Sequence, residues 1–142
     1  MTTSESDLRV DPLLLGGVLL FVLMSLHFAG DLARGEGARL GIGTEGFFAG
    51  SIAFLLLLLA APGLRTVRPR LGTAFLGVMS LAAALFLVAG HVLGWADPMG
   101  VVIEDGGLPA AWALLLGVTV GLGTALLAAW QLWTQGIQSE RA

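Results

Sequence analysis

The sequence predicts an all-α fold, a bundle of four transmembrane helices in antiparallel, up-down order, and three observations predict it. Of the 142 residues, 56% are apolar and only 12% are charged, whereas soluble domains carry about 25% charged residues. Mean hydropathy is +0.90. The apolar residues gather into four runs, each near or above the roughly 20 residues that cross about 30 Å of hydrocarbon. Backbone groups in lipid must be satisfied within the protein, and the runs lack the alternation of a barrel strand, so helices follow.

The four spans fall at about 13–30, 46–64, 71–96 and 108–133, in a single membrane domain over residues 1–142. The segment before the first, "MTTSESDLRVDP", is acidic overall and lacks a basic n-region, so a cleaved signal peptide is not expected. The second, with its core "FFAGSIAFLLLLLAA", is the shortest and is followed directly by Pro62 and Gly63; a slightly thinned bilayer accommodates it. Pro62 and Pro69 bracket the turn after the second span, and Pro98 and Pro109 bracket the loop after the third, all at expected helix boundaries. The loop "RGEGARLGIGTEG" between the first two spans has no lysine and no strand before it, which excludes a phosphate-cradling loop and leaves a flexible connection.

Arginine asymmetry sets the expected orientation. Arg9, Arg65, Arg68, Arg70 and Arg141 fall on the side of the termini, and only Arg34 and Arg39 on the other, so both termini are expected in the cytoplasm. Trp95 and Trp112 flank the second outer loop, and Trp130 and Trp133 mark the inner end of the fourth span, as interfacial belts require. The outer loops hold Asp31, Glu36, Glu45, Asp97, Glu104 and Asp105, an acidic rim read as solvated. All seven basic residues are arginine, a usage that points to a GC-rich prokaryotic genome and hence to a prokaryotic cell membrane.

Composition also excludes chemistry. Without cysteine there are no disulfides, thiolate metal sites or cysteine nucleophiles. Without lysine there is no side-chain Schiff base. No serine or paired-carboxylate arrangement within the spans offers a catalytic spacing, so an enzyme in the usual sense is not expected. The net charge of -3 gives no basis for a nucleic-acid partner. The expected surroundings are the lipid bilayer.

The fourth span carries Ala113, Gly117, Gly121, Ala125 and Ala129 at four-residue intervals, a stripe of small residues that permits close helix approach. Gly117 and Gly121 form one GxxxG; Gly90 and Gly94 form another. The stripe predicts tight packing against a neighbouring helix or against another subunit. It motivates the leading functional expectation, a non-enzymatic membrane component or accessory subunit acting through helix–helix contacts, with a homo-oligomer or complex partner docking on the fourth span.

His27 and His91 are the only histidines. Each lies three or four residues inside the outer end of its span, roughly 5 to 6 Å from that end, so the two match in depth. Asp31 follows His27 by four residues and shares its face if the helix continues that far, where it could orient the imidazole. One reading keeps both histidines as interfacial residues bonded to backbone, water or headgroups, with Asp31 paired to an arginine such as Arg34 and no cofactor. The other treats ionisable groups at membrane depth as functional. That reading leaves three chemistries open: haem b with His27 and His91 as axial ligands; a divalent metal such as zinc or copper(II) held by both histidines with Asp31, or with an acid from Asp97, Glu104 and Asp105; and a proton relay or quinone contact.

"LHFAGD" closing the first span, a late histidine in the third, and "PAAWALLLGVTVGLGTALLAAWQLW" as the last together resemble a group of small four-helix bacterial membrane proteins. The resemblance covers most of the chain through layout and hydropathy, with His27, Asp31 and His91 as its distinctive letters. It implies a four-span bundle and carries over no catalytic residue.

Overall fold

The computed structural model describes residues 11–93 and 99–140, with side chains described over 11–93 and 111–137. Arg9, Gly94, Trp95, Asp97, Pro98 and Arg141 lie outside the described residues, and the side chains of Glu104 and Asp105 lie outside the described side chains. Five α-helices make up the described chain: α1 Pro12–Arg34, α2 Glu36–Arg39, α3 Gly43–Val67, α4 Pro69–Leu87 and α5 Met99–Glu140, with a π-helical turn at Val88–Val92 extending α4. Among the described residues, four helical segments are long and apolar enough to cross a membrane: Pro12–Arg34, Gly43–Val67, Pro69–Val92 and Ala111–Ile137. Among the described residues there is no strand.

Local chemistry sets the ends of α1. Asp11 caps it by accepting the Leu13 N–H at 2.9 Å, and Pro12 occupies the first turn, where its missing N–H costs nothing. Gly35 ends the helix in the left-handed region at φ 76°, which a residue with a Cβ adopts only with strain. The helix therefore runs past Gly30, its expected end, and takes in Asp31 and Arg34.

The buried faces follow a three-four alternation. On α1 the buried residues are Leu13, Gly17, Leu20, Met24, Phe28 and Asp31, and on α5 the series Leu114, Gly117, Gly121, Thr124 and Ala128 is buried. Steps averaging about 3.6 residues on α1 and 3.5 on α5 keep a seam on one side of a helix with 3.6 residues per turn. The exposed faces are apolar: Leu26, Leu56 and Leu126 each expose more than half of their surface, which suits lipid rather than water.

The expected stripe on the fourth span divides between these faces. Gly117 and Gly121 are buried, Ala125 is half-buried, and Ala113 and Ala129 are exposed. A step of four residues advances about 400° around the helix, so each member drifts about 40° from the last and the row leaves the interface. The close approach between α4 and α5 is built instead on Gly121, where a Cβ would stand 2.9 Å from the Ser80 carbonyl oxygen, and on Gly77, where it would stand 2.9 Å from the Ala128 Cβ.

Three other expectations change. Pro62 lies inside α3 rather than at its end. A proline costs a transmembrane helix one hydrogen bond that neighbouring groups can absorb, and Arg65, one turn further on, is tied to Asp11 at 2.5 Å and to Gln131 at 3.2 Å. Helix α5 begins at Met99 and so carries Pro109 within it, rather than starting beside it. The glycine-rich connection is not wholly irregular, because α2 forms in it with Arg39 paired to Glu36 at 2.9 Å, one turn apart.

Candidate metal centre

One helix end and one irregular turn bring the site together. On α1, His27 and Asp31 lie on the core-facing seam, one turn apart, because the helix persists to Arg34. His91 comes from the π-helical turn, where the Leu93 N–H bonds the Val88 carbonyl at 3.1 Å, one residue further back than in an α-helix. Such turns shift the register of the residues beyond them and recur at functional sites. Hydropathy predicts a regular helix through this stretch; Gly90, immediately before His91, is the only local signal of the irregular turn.

The Nε2 atoms of His27 and His91 stand 3.3 Å apart, with ring centroids 4.9 Å apart and ring planes at 82°. His27 Nε2 is also 3.1 Å from Asp31 Oδ2. Arg34 donates to the other carboxylate oxygen, Oδ1, at 2.5 Å. One ligand atom from each of His27, Asp31 and His91 lies within 4.8 Å of the others. Asp31 and His91 are buried at 3% and 2% exposure, and His27 is half-buried.

These distances constrain the chemistry. A neutral imidazole has one N–H, so the two facing nitrogens and the nearby carboxylate oxygen compete for few protons. A cation among the three would be met by lone pairs from each. Zinc bonds of about 2.0–2.1 Å at tetrahedral angles place neighbouring ligand atoms about 3.3 Å apart, and the observed separations of 3.3 and 3.1 Å match that edge. Ligands on opposite sides of one metal, as in a bis-histidine haem, would stand about 4 Å apart. Arg34 fixes the orientation of Asp31 from outside the three, the arrangement by which outer groups hold metal ligands.

Aromatic rings pack beneath the cluster. Phe86 meets His27 edge-on at 6.2 Å, and Phe28 meets Phe47, Phe54 and Phe86 in T-shaped pairs with centroids 5.7 to 6.2 Å apart. Two cavities flank the polar groups. One, of about 230 Å³, is lined by His27, Gly30, Arg34 and His91 together with Ala113 and Gly117 of α5. The other, of about 370 Å³, has Asp31, Glu36 and His91 in an otherwise apolar wall.

His27, Asp31 and His91, separate in the chain, are thus neighbours. The alternative acids Asp97, Glu104 and Asp105 have no described side chains. Glu36 escapes the sequence pattern: expected in a solvated rim, it is fully buried beside the cluster. Its i,i+3 spacing to Arg39 after a helix-ending glycine is the signal that could have found it. Comparison with protein-family models, curated proteins and solved structures finds no match to this chain.

Proposed function

We propose that this chain is a multi-pass membrane protein that binds one divalent transition metal, of the zinc class, through His27, His91 and Asp31. The observation that carries the reading is the pair of separations at His27 Nε2, 3.3 Å to His91 and 3.1 Å to Asp31, which suit ligands at adjacent corners of a tetrahedron. Three protein ligands leave a fourth position open, as in zinc sites that bind water or substrate. By the arginine bias of Arg65, Arg68 and Arg70, the termini lie in the cytoplasm of a prokaryotic cell and the metal site lies under the outer face.

The accessory-subunit reading rests on the small-residue stripe. Gly117 and Gly121 are covered by α4, which leaves only Ala113 and Ala129 of that row exposed for a partner. The histidine cluster is therefore the better-supported seat of function.

The test is metal analysis of the detergent-purified protein after zinc loading and desalting, with a visible spectrum of the same sample. One zinc per chain, lost in both His27→Ala and His91→Ala, is expected. A metal-free wild type, or zinc retained by both variants, overturns the assignment. A Soret band lost in both variants would replace it with the haem reading.

A further inference from the structure

The three arginines at the break between α3 and α4 are not equivalent. Arg65 is half-buried and paired with Asp11. Arg68 and Arg70 are exposed, and among the described residues neither forms an ion pair. Two positive charges without a described counter-charge therefore stand two residues apart. Arg70 also reaches across to α5, where it donates to the Gln135 backbone carbonyl at 3.3 Å. That bridge lies at an open cleft of about 510 Å³ lined by Arg68, Pro69, Arg70, Leu71 and Gln135.

Two features set the depth of the cleft in the bilayer. On α5, Trp130 and Trp133 are 58% and 60% exposed and pack against each other with ring centroids 5.3 Å apart. They precede Gln135 by about 3 to 8 Å of helical rise, and tryptophan favours the layer where headgroups meet acyl chains. On α4, Leu71, Val78 and Leu85 recur every seven residues and are 50%, 64% and 57% exposed. An apolar lane therefore runs from the cleft along the outer side of the span Pro69–Val92.

We propose that this cleft binds an anionic phospholipid with a single phosphodiester, of the phosphatidylglycerol class, in the leaflet on the side of the termini. The phosphodiester oxygens accept from the guanidinium groups of Arg68 and Arg70, whose planar forks match phosphate. One acyl chain follows Leu71, Val78 and Leu85. Net charge selects the lipid: a zwitterionic head offers the same phosphate but brings its ammonium group toward the two arginines. The cleft lies at the other end of the bundle from His27, Asp31 and His91 and shares no residue with them, so lipid binding does not depend on the metal assignment.

The test is native mass spectrometry of the full chain in detergent micelles, titrated with dioleoyl phosphatidylglycerol or with phosphatidylcholine bearing the same chains. The anionic lipid is expected to bind at least about 10-fold more tightly, and the double variant Arg68→Gln, Arg70→Gln to lose about fivefold for each arginine, about 25-fold for the pair. Equal affinity for the two lipids overturns the proposal. That comparison is made on the wild-type protein and stands even if the variant fails to fold. Undiminished binding of phosphatidylglycerol by a folded double variant also overturns it, as does displacement of the lipid by excess inorganic phosphate, which would make the cleft a site for the free anion. A tenfold or greater gain in affinity in Glu5→Gln, Asp7→Asn would show that the acidic N-terminal segment, not lipid, covers the arginines, and overturns it as well.

Discussion

Each end of the bundle is tied by a polar knot, and the two knots are built differently. At one end Arg65 of α3 reaches Asp11 before α1 and Gln131 of α5. At the other, His27 and Asp31 of α1 meet His91 beyond α4. In the first knot a cation with five donors faces a carboxylate and an amide oxygen, so charge and hydrogen bonds balance with the groups present. Asp11 keeps 34% of its side-chain surface exposed, so water shares in that balance. In the second, two imidazole nitrogens and one oxygen of Asp31 converge in a more buried setting, while Arg34 holds the other carboxylate oxygen. The difference separates a fastener, an ion pair with its own hydrogen bonds, from a cluster of the three groups that the proposed zinc site would use.

The largest effect that would break this contrast concerns the histidines. His27→Ala and His91→Ala are each expected to weaken zinc binding by more than about 100-fold in calorimetric titration, since each removes one of three ligands. Wild-type affinity in either variant would reduce the second knot to a fastener like the first. Next in size is metal removal. At free zinc about 100 times the dissociation constant, binding to the folded state alone adds about 2.7 kcal/mol, so a chelator should lower the thermal midpoint of the wild type and leave that of His27→Ala in place. Arg34→Ala should cost about 10- to 100-fold in zinc affinity by loosening Asp31 without removing a ligand. The smallest effect sharpens the contrast from the other side. Arg65→Ala should lower stability by about 1 kcal/mol, because its ion pair is partly solvated, and should leave zinc titration unchanged. A loss of metal binding in that variant would show the two ends to be coupled.

Much of the site was legible because hydropathy and helical spacing are local. Leu13, Leu20 and His27 are seven apart, as are Gly17, Met24 and Asp31, so His27 and Asp31 continue the seam that buries the apolar residues of α1. The same three-four rule, applied to α5 in place of a strict four-residue row, would have selected Leu114, Thr124 and Ala128 with the two glycines. Glu36 was harder to see. Its burial depends on α2 folding back against α3, where a Cβ on Gly37 would collide with the Gly43 carbonyl and Phe47.

By itself the sequence determined the helical class, the number of spans and the matching depth of the two histidines, because lipid admits few backbone solutions and helical rise converts residue number into depth. The tertiary structure alone decided that His91 faces His27 across 64 residues of chain, that Glu36 turns inward, and that Gly121 is spent on α4. Those outcomes depend on the rotation of one helix against another and on a single π-helical turn, and both are set by packing between segments that no local spacing records.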